Sequence, residues 1–146
     1  MLKRTSKAVW RGDGMTGKGT LDTQSGVFKA QPYSFQIRFG AEDGKAGTNP
    51  EELIAAAHAG CYSMALSFML SGAGHVPTEL ITSATVVLDK EGAGFVIKSI
   101  ALDLQARVPG ITEQQFLSLA EGAKKDCPIS KALATVQITL KATLLS

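Results

Sequence analysis

Apolar and polar positions change rhythm several times along the chain, and each rhythm predicts an element. Two short runs, "KAVWRG" (Lys7 to Gly12) and "GKGTLDT" (Gly17 to Thr23), flank a glycine-rich turn and predict paired strands. "YSFQIRFG" (Tyr33 to Gly40) alternates, with Phe35, Ile37 and Phe39 on one side and Gln36 and Arg38 on the other, which predicts a third strand. The pattern then becomes helical. Asn49 suits an N-cap, Pro50 the first helical position, and Glu52 completes a capping box, while Glu51 and Glu52 both suit the positive helix end. Gly72 and Gly74 end that helix, and Pro77 prevents a restart. "ITSATVVLDK" and "GFVIKSIALDLQARV" predict a hairpin closed by "EGAG". Thr112 with Gln115 opens a second helix running to about Lys125, "DCPIS" breaks it, and a short helical turn follows from Ser130 to Leu133. The alternating "TVQITLKATLL" predicts a last strand. Three strands, a helix, two strands, a helix and a strand make an α+β fold with mostly antiparallel sheets.

The first helix has an unusual composition. Leu53 to Leu70 is 18 residues without Asp, Glu, Lys or Arg. That reaches the length at which a membrane span is considered. His58, Gly60, Ser63 and Ser67 interrupt it, no basic flank adjoins it, and amphipathic strands surround it. These features favour a core helix, and a helix apolar on every side in so short a chain needs a second subunit to bury it. The 146 residues fit one domain spanning 1–146, and 45% hydrophobic with 19% charged residues suits a packed core. A net charge of +2 with no basic run beyond Lys124-Lys125 argues against nucleic acid as partner. The N-terminus has no apolar signal region. Two cysteines in a domain of this size suit a reducing cytoplasm.

Those cysteines are the first chemical candidates. Cys61 lies mid-helix beside Ala57, Met64, Ala65 and Phe68, where by itself a buried, inert thiol is a commoner reading than a reactive one. Cys127 precedes Pro128 at a helix start near Lys124 and Lys125, features that lower a thiol pKa and expose it. Local charge alone therefore makes Cys127 the better thiolate, and Cys61 needs a cation from elsewhere. Arg38 can supply it, in competition with Arg4, Arg11 and Arg107, and Glu51 can fix a guanidinium bidentately. His58, three residues before Cys61, is either a packed histidine or the base of a cysteine hydrolase. His58, Cys61, His75 and Cys127 match no zinc-ligand spacing. The glycines fit no phosphate-binding fingerprint, and Arg-Gly-Asp at Arg11 to Asp13 carries no weight without an export signal.

Taken together, "GTNPEELIAAAHAGCYSMALS", "GVFKAQPYSFQIRF", "LDKEGAGFVIKSIALDL" and "CPISKAL" resemble the OsmC branch of the OsmC/Ohr family across nearly the whole chain. The resemblance implies an OsmC-like fold, with mostly antiparallel sheets around a long central buried helix, in an intertwined homodimer with two active sites at the interface. It implies a thiol-dependent peroxidase that reduces organic hydroperoxides, and hydrogen peroxide less well, in oxidative or osmotic stress. Carried over, the peroxide-attacking cysteine matches Cys61 and the resolving cysteine Cys127. The glutamate matches Glu51 and the arginine Arg38. The Ohr branch carries its arginine in a glycine-rich loop nearer the N-terminus; here Gly17-Lys18-Gly19 has none, which supports Arg38. Ile37, Phe39, Met64 and Phe68 are candidate walls of an apolar substrate pocket. No cofactor or metal is implied, and the partner is an external dithiol, of lipoyl type by resemblance. The competing readings are a cysteine hydrolase using Cys61 with His58, and a non-enzymatic stress protein with inert cysteines.

Overall fold

A computed structural model describes residues 1–146. The chain divides into two compact units, Met1–Pro50 and Glu51–Ser146.

The first unit is a three-stranded antiparallel sheet in the order β1 (Ser6–Arg11), β2 (Lys18–Thr23), β3 (Gln31–Ser34). The register lines up Trp10, Gly19 and Tyr33 across the three strands. Gly19 carries no side chain, so the two rings close over it at 5.4 Å between centroids; a Cβ there would strike both. The β1–β2 turn is held by Asp13, which accepts from the amides of Met15 and Thr16 and from the Thr16 hydroxyl. Those bonds hold its carboxyl at about 2. The Arg-Gly-Asp run is thus a turn whose aspartate is engaged within the chain.

The strand expected over Tyr33 to Gly40 ends at Ser34. Gln36–Gly40 is instead a short π-helical turn. Ser34 Oγ accepts from the Ile37 amide at 3.1 Å, a local side-chain-to-backbone bond that favours a turn where the alternation of apolar residues suggested a strand. The helical path brings Phe35 and Phe39 together, 4.8 Å between ring centroids. It also sets the Arg38 guanidinium over the Phe39 ring at 4.8 Å, not on the opposite face. Ile37 packs over Gly47, where the nearest side-chain carbon would lie 3.0 Å from an added Cβ.

The second unit holds the long helix. α1 spans Pro50–Gly72 and starts where its capping residues place it. It ends in a Schellman motif: His75 N–H donates to Leu70 O at 2.9 Å, Gly74 N–H to Ser71 O at 3.0 Å, and Gly74 takes a φ of 87°. β4 (Glu79–Glu91) and β5 (Gly94–Arg107) form the expected hairpin, with Gly92 at φ 59° in its two-residue loop. Thr112 caps α2 (Glu113–Asp126) by accepting from the Gln115 amide. Cys127 follows, then the five-residue α3 (Pro128–Ala132). This crossover returns the chain as β6 (Gln137–Leu144), parallel to β5, so the second sheet is mixed, in the order β4-β5-β6.

Alternate residues of β5, Ile100, Leu102, Leu104 and Ala106, turn inward. They meet Tyr62, Leu66 and Leu70 of α1 and Phe116, Ala120 and Ala123 of α2 in one buried cluster. Truncating Leu66 or Leu70 to alanine should cost about 2–5 kcal/mol. By length and composition α1 could cross a bilayer, yet one stripe of it, His58, Tyr62, Leu66 and Leu70, is wholly enclosed in this core. Burial on every side does not hold within one chain, since Met64 and Phe68 are 65% and 74% exposed.

Candidate active site

The two cysteines, 66 positions apart, meet. The Cys127 thiol hydrogen-bonds to Cys61 Sγ at 2.9 Å, and both thiols are free. Three local facts make this contact. Cys61 sits on α1 at the border between its enclosed stripe and its exposed apolar face. Cys127 ends α2 and serves as the N-cap position of α3, its amide bonded to Ala123 O at 2.9 Å. Pro128 then fixes the first residue of α3, turning the chain towards α1.

The environments of the two thiols differ from what charge patterning suggests. Cys127 is fully buried, not exposed. Lys124, one of the two lysines beside it in sequence, is paired to Glu121 at 2.9 Å instead. Cys61 is the partly exposed thiol. Burial pushes its pKa up and contact with Cys127 adds to this, while a hydrogen bond from the Ile129 backbone N–H acts in the opposite direction. The Ile129 amide thus offsets part of the rise that burial causes at Cys61.

His58 is also fully buried, and its Nε2 lies 2.7 Å from Ser130 Oγ. Its ring is engaged with α3, so the histidine–cysteine hydrogen bond of a hydrolase is not formed; burial also depresses its pKa. Sequence reasoning missed Ser130. Its signal was spacing: it follows Cys127 by three residues, as His58 precedes Cys61 by three. No three His, Cys, Asp or Glu side chains gather to hold a metal ion.

Glu51 lies in the first turn of the same unbroken helix as Cys61. Ten residues of helix are about 15 Å of rise and about 80° of rotation. Glu51 and Cys61 of one chain are therefore not brought together, because the helix runs unbroken from Pro50 through both. Arg38 and Phe39 belong to the first unit, where with Trp10, Tyr33 and Phe35 they line a cavity of about 120 Å³. Ile37 does not line it. Met64 and Phe68, three and seven residues after Cys61, form the exposed apolar face beside the thiol.

Two free thiols in contact, one on a core helix and one at a Cys-Pro turn, make a candidate dithiol site. The chain belongs to the OsmC-like protein family, whose model matches residues 41–141 and so takes in both cysteines. It is 50% identical over 139 residues to Peroxiredoxin OsmC of Escherichia coli (strain K12), covering 95% of this chain and 94% of that one. It is 29% identical over 96 residues to the organic hydroperoxide resistance protein OhrA of Bacillus subtilis, covering 64% of this chain and 66% of that one. Among solved structures, an organic hydroperoxide resistance protein OsmC from Legionella pneumophila superposes with a TM-score of 0.69 at 25% identity, covering 95% of this chain and 96% of that one.

Proposed function

We propose that the chain reduces organic hydroperoxides to alcohols, with Cys61 as the attacking thiol and Cys127 as the resolving one. The peroxidase class rests on family membership and on the half-identical peroxiredoxin. The observation that carries the two-cysteine route is the 2.9 Å contact between a partly exposed Cys61 and a sealed Cys127. A hydroperoxide can approach the first thiol from outside, whereas the second is in reach only of groups already inside the protein, Cys61 among them.

The Cys61 thiolate attacks the terminal peroxide oxygen. The O–O bond breaks, the alkoxide leaves and takes a proton, and Cys61 becomes a sulfenic acid. Cys127 sulfur then attacks the sulfenic sulfur; the S–O bond breaks, water leaves, and the disulfide forms. An external dithiol, lipoyl-type by family resemblance, returns the pair to two thiols by exchange and is itself oxidised. No step requires a metal or an organic cofactor. The exposed apolar face at Met64 and Phe68 beside Cys61 suits a bulky alkyl group better than hydrogen peroxide. Two cysteines in a domain large enough not to need a disulfide staple suit a reducing cytoplasm.

Cys61 needs a positive group to lower a pKa that burial raises. Arg38 is that group in this reading, with Glu51 fixing it. The length of helix between Glu51 and Cys61 supports a site shared between two copies of the chain, one lending Glu51 or Arg38 to the other's thiol. The open apolar stripe of α1 supports the same homodimer.

The test is a dithiol-driven assay with an alkyl hydroperoxide and with hydrogen peroxide. Wild type should turn over the alkyl substrate faster, and Cys61→Ser should turn over neither; retained activity in Cys61→Ser would overturn the assignment. Mixing Cys61→Ser with Glu51→Ala under subunit exchange should restore activity in the mixed dimer. Demonstrated exchange without recovery would place each site within one chain.

A further inference from the structure

The buried His58–Ser130 contact is not used by the chemistry above, yet it joins the same two elements as the thiol contact. His58 and Cys61 are three residues apart on α1; Cys127 and Ser130 are three residues apart across the start of α3. Positions three apart share a helix face. The pairs therefore form two rungs of an antiparallel ladder: Cys61 to Cys127 at 2.9 Å and His58 to Ser130 at 2.7 Å. One rung changes bonding during turnover, and the other does not.

His58 is an expensive side chain to enclose. It is fully buried, Ser130 is 5% exposed, and His58 Nδ1 has no hydrogen-bond partner. A proton on Nδ1 would leave a buried donor unsatisfied, which folded proteins tolerate less than a bare acceptor. The proton belongs on Nε2, so that His58 is neutral and donates to Ser130 Oγ. Other contacts help to place α3: Ile129 and Leu133 pack apolar surface on the core, the Cys127 amide donates to Ala123 O at 2.9 Å, and Lys131 pairs with Asp126 at 3.5 Å on the surface. The His58–Ser130 bond is the buried side-chain hydrogen bond that runs from α3 itself to α1, and its directionality restricts rotation about the α3 axis.

We propose that His58 and Ser130 are positioning residues for disulfide closure: their hydrogen bond holds the rotation of α3 that keeps Cys127 sulfur against Cys61 sulfur. The inference rests on the two-cysteine reading. In the closing step Cys127 sulfur bonds to the sulfenic sulfur of Cys61, and the S–O bond breaks. The departing hydroxyl leaves as water with the Cys127 proton. The rung acts on the effective concentration of one sulfur at the other and not on the preceding attack on peroxide.

The experiment compares wild type, Ser130→Ala and Ser130→Thr in two measurements. The first is the thiol–disulfide equilibrium against reduced and oxidised dithiothreitol, which needs no peroxide. Ser130→Ala should shift it towards the dithiol by up to about tenfold; the bond is lost in both redox states, so the shift comes from the freedom α3 gains in the dithiol state, where no disulfide holds it, and the energy of one buried hydrogen bond is its upper limit. Ser130→Thr, which keeps the hydroxyl, should restore it. The second is stopped-flow reaction with an alkyl hydroperoxide, separating sulfenic acid formation from closure. Ser130→Ala should slow closure by a similar factor, leave the first phase within about twofold, and accumulate more Cys61 sulfinic acid under excess peroxide. If Ser130→Ala lowers only the melting temperature, or slows both phases equally, the pair is structural and the proposal fails. Should Ser130→Ala not fold, His58→Gln, whose amide can still donate, and His58→Leu replace it, with closure retained in the first and slowed in the second. Equal closure in both overturns the proposal. Nitrogen NMR of the wild-type ring should show Nε2 protonated and Nδ1 bare; the opposite tautomer contradicts the donor assignment. Failure of hydroperoxide to oxidise wild-type Cys61 would remove the peroxidase reading, while the dithiothreitol equilibrium would still decide the rung.

Discussion

Cys61 and Cys127 are 2.9 Å apart and stand in regions of opposite character. Cys61 lies at the edge of an open apolar helix face, between the core and Met64 and Phe68. Cys127 is sealed at the junction of α2 and α3, with no exposed surface. Charge in the sequence favours Cys127 as the thiolate, but access favours Cys61. A nucleophile must first be reached, whereas a resolving thiol needs only its neighbour. The difference teaches that two reactive thiols in contact can be told apart by which one solvent can approach, even when local charge points the other way.

The comparison breaks most completely by substitution. Cys61→Ser should abolish turnover with every hydroperoxide, measured as dithiol-dependent peroxide loss. An active Cys61→Ser would mean that Cys127 is reached after all. Access can then be measured directly: a bulky alkylating reagent on the native dithiol protein should label Cys61 and spare Cys127 until the protein is unfolded, as read by peptide mass mapping. Labelling of both at equal rates would erase the contrast.

A smaller effect concerns charge. Burial raises the Cys61 pKa within the chain, and Arg38 is proposed to offset this in the assembled site. Arg38→Ala should move the pH profile of Cys61 alkylation upward by about one unit or more and slow peroxide reduction about tenfold at neutral pH. An unmoved profile would transfer the role to another arginine, Arg11 first.

The smallest effect is on stability. The His58 pKa is depressed from its ordinary 6.5 because the ring is buried. Below pH 6.5 the unfolded chain binds a proton that the folded chain does not, so stability is fully present above that value and falls with acid. The loss approaches about 1.4 kcal/mol per pH unit until the folded ring also protonates. Denaturant midpoints between pH 7 and 5 should show this slope in wild type and lose it in His58→Gln.

Local signals in the sequence located most elements because the deciding groups lie close together along the chain. Thr112 caps α2 and Gly74 ends α1 as their neighbours dictate. The failure at Gln36–Gly40 has a physical cause. "FQIRF" and "QITLKATL" both alternate, but β6 finds β5 to pair with, while the Ser34 hydroxyl takes the Ile37 amide into a helical turn in the first unit. Alternation says that a strand is suitable and does not say that a partner exists. The thiol contact was implied by family resemblance and not by spacing. The burial of Cys127, the Ile129 amide at Cys61 and the His58–Ser130 bond all depend on where α3 docks, which no local pattern encodes.

The central claim is that Cys61 attacks and Cys127 resolves. Cys127→Ser treated with excess alkyl hydroperoxide, without reductant, tests it most directly by peroxide count and peptide mass. The account predicts rapid consumption of about one equivalent per chain in the first phase, with one oxygen added at Cys61 and no intramolecular disulfide. Consumption by Cys61→Ser with oxygen added at Cys127, and none by Cys127→Ser, would contradict it.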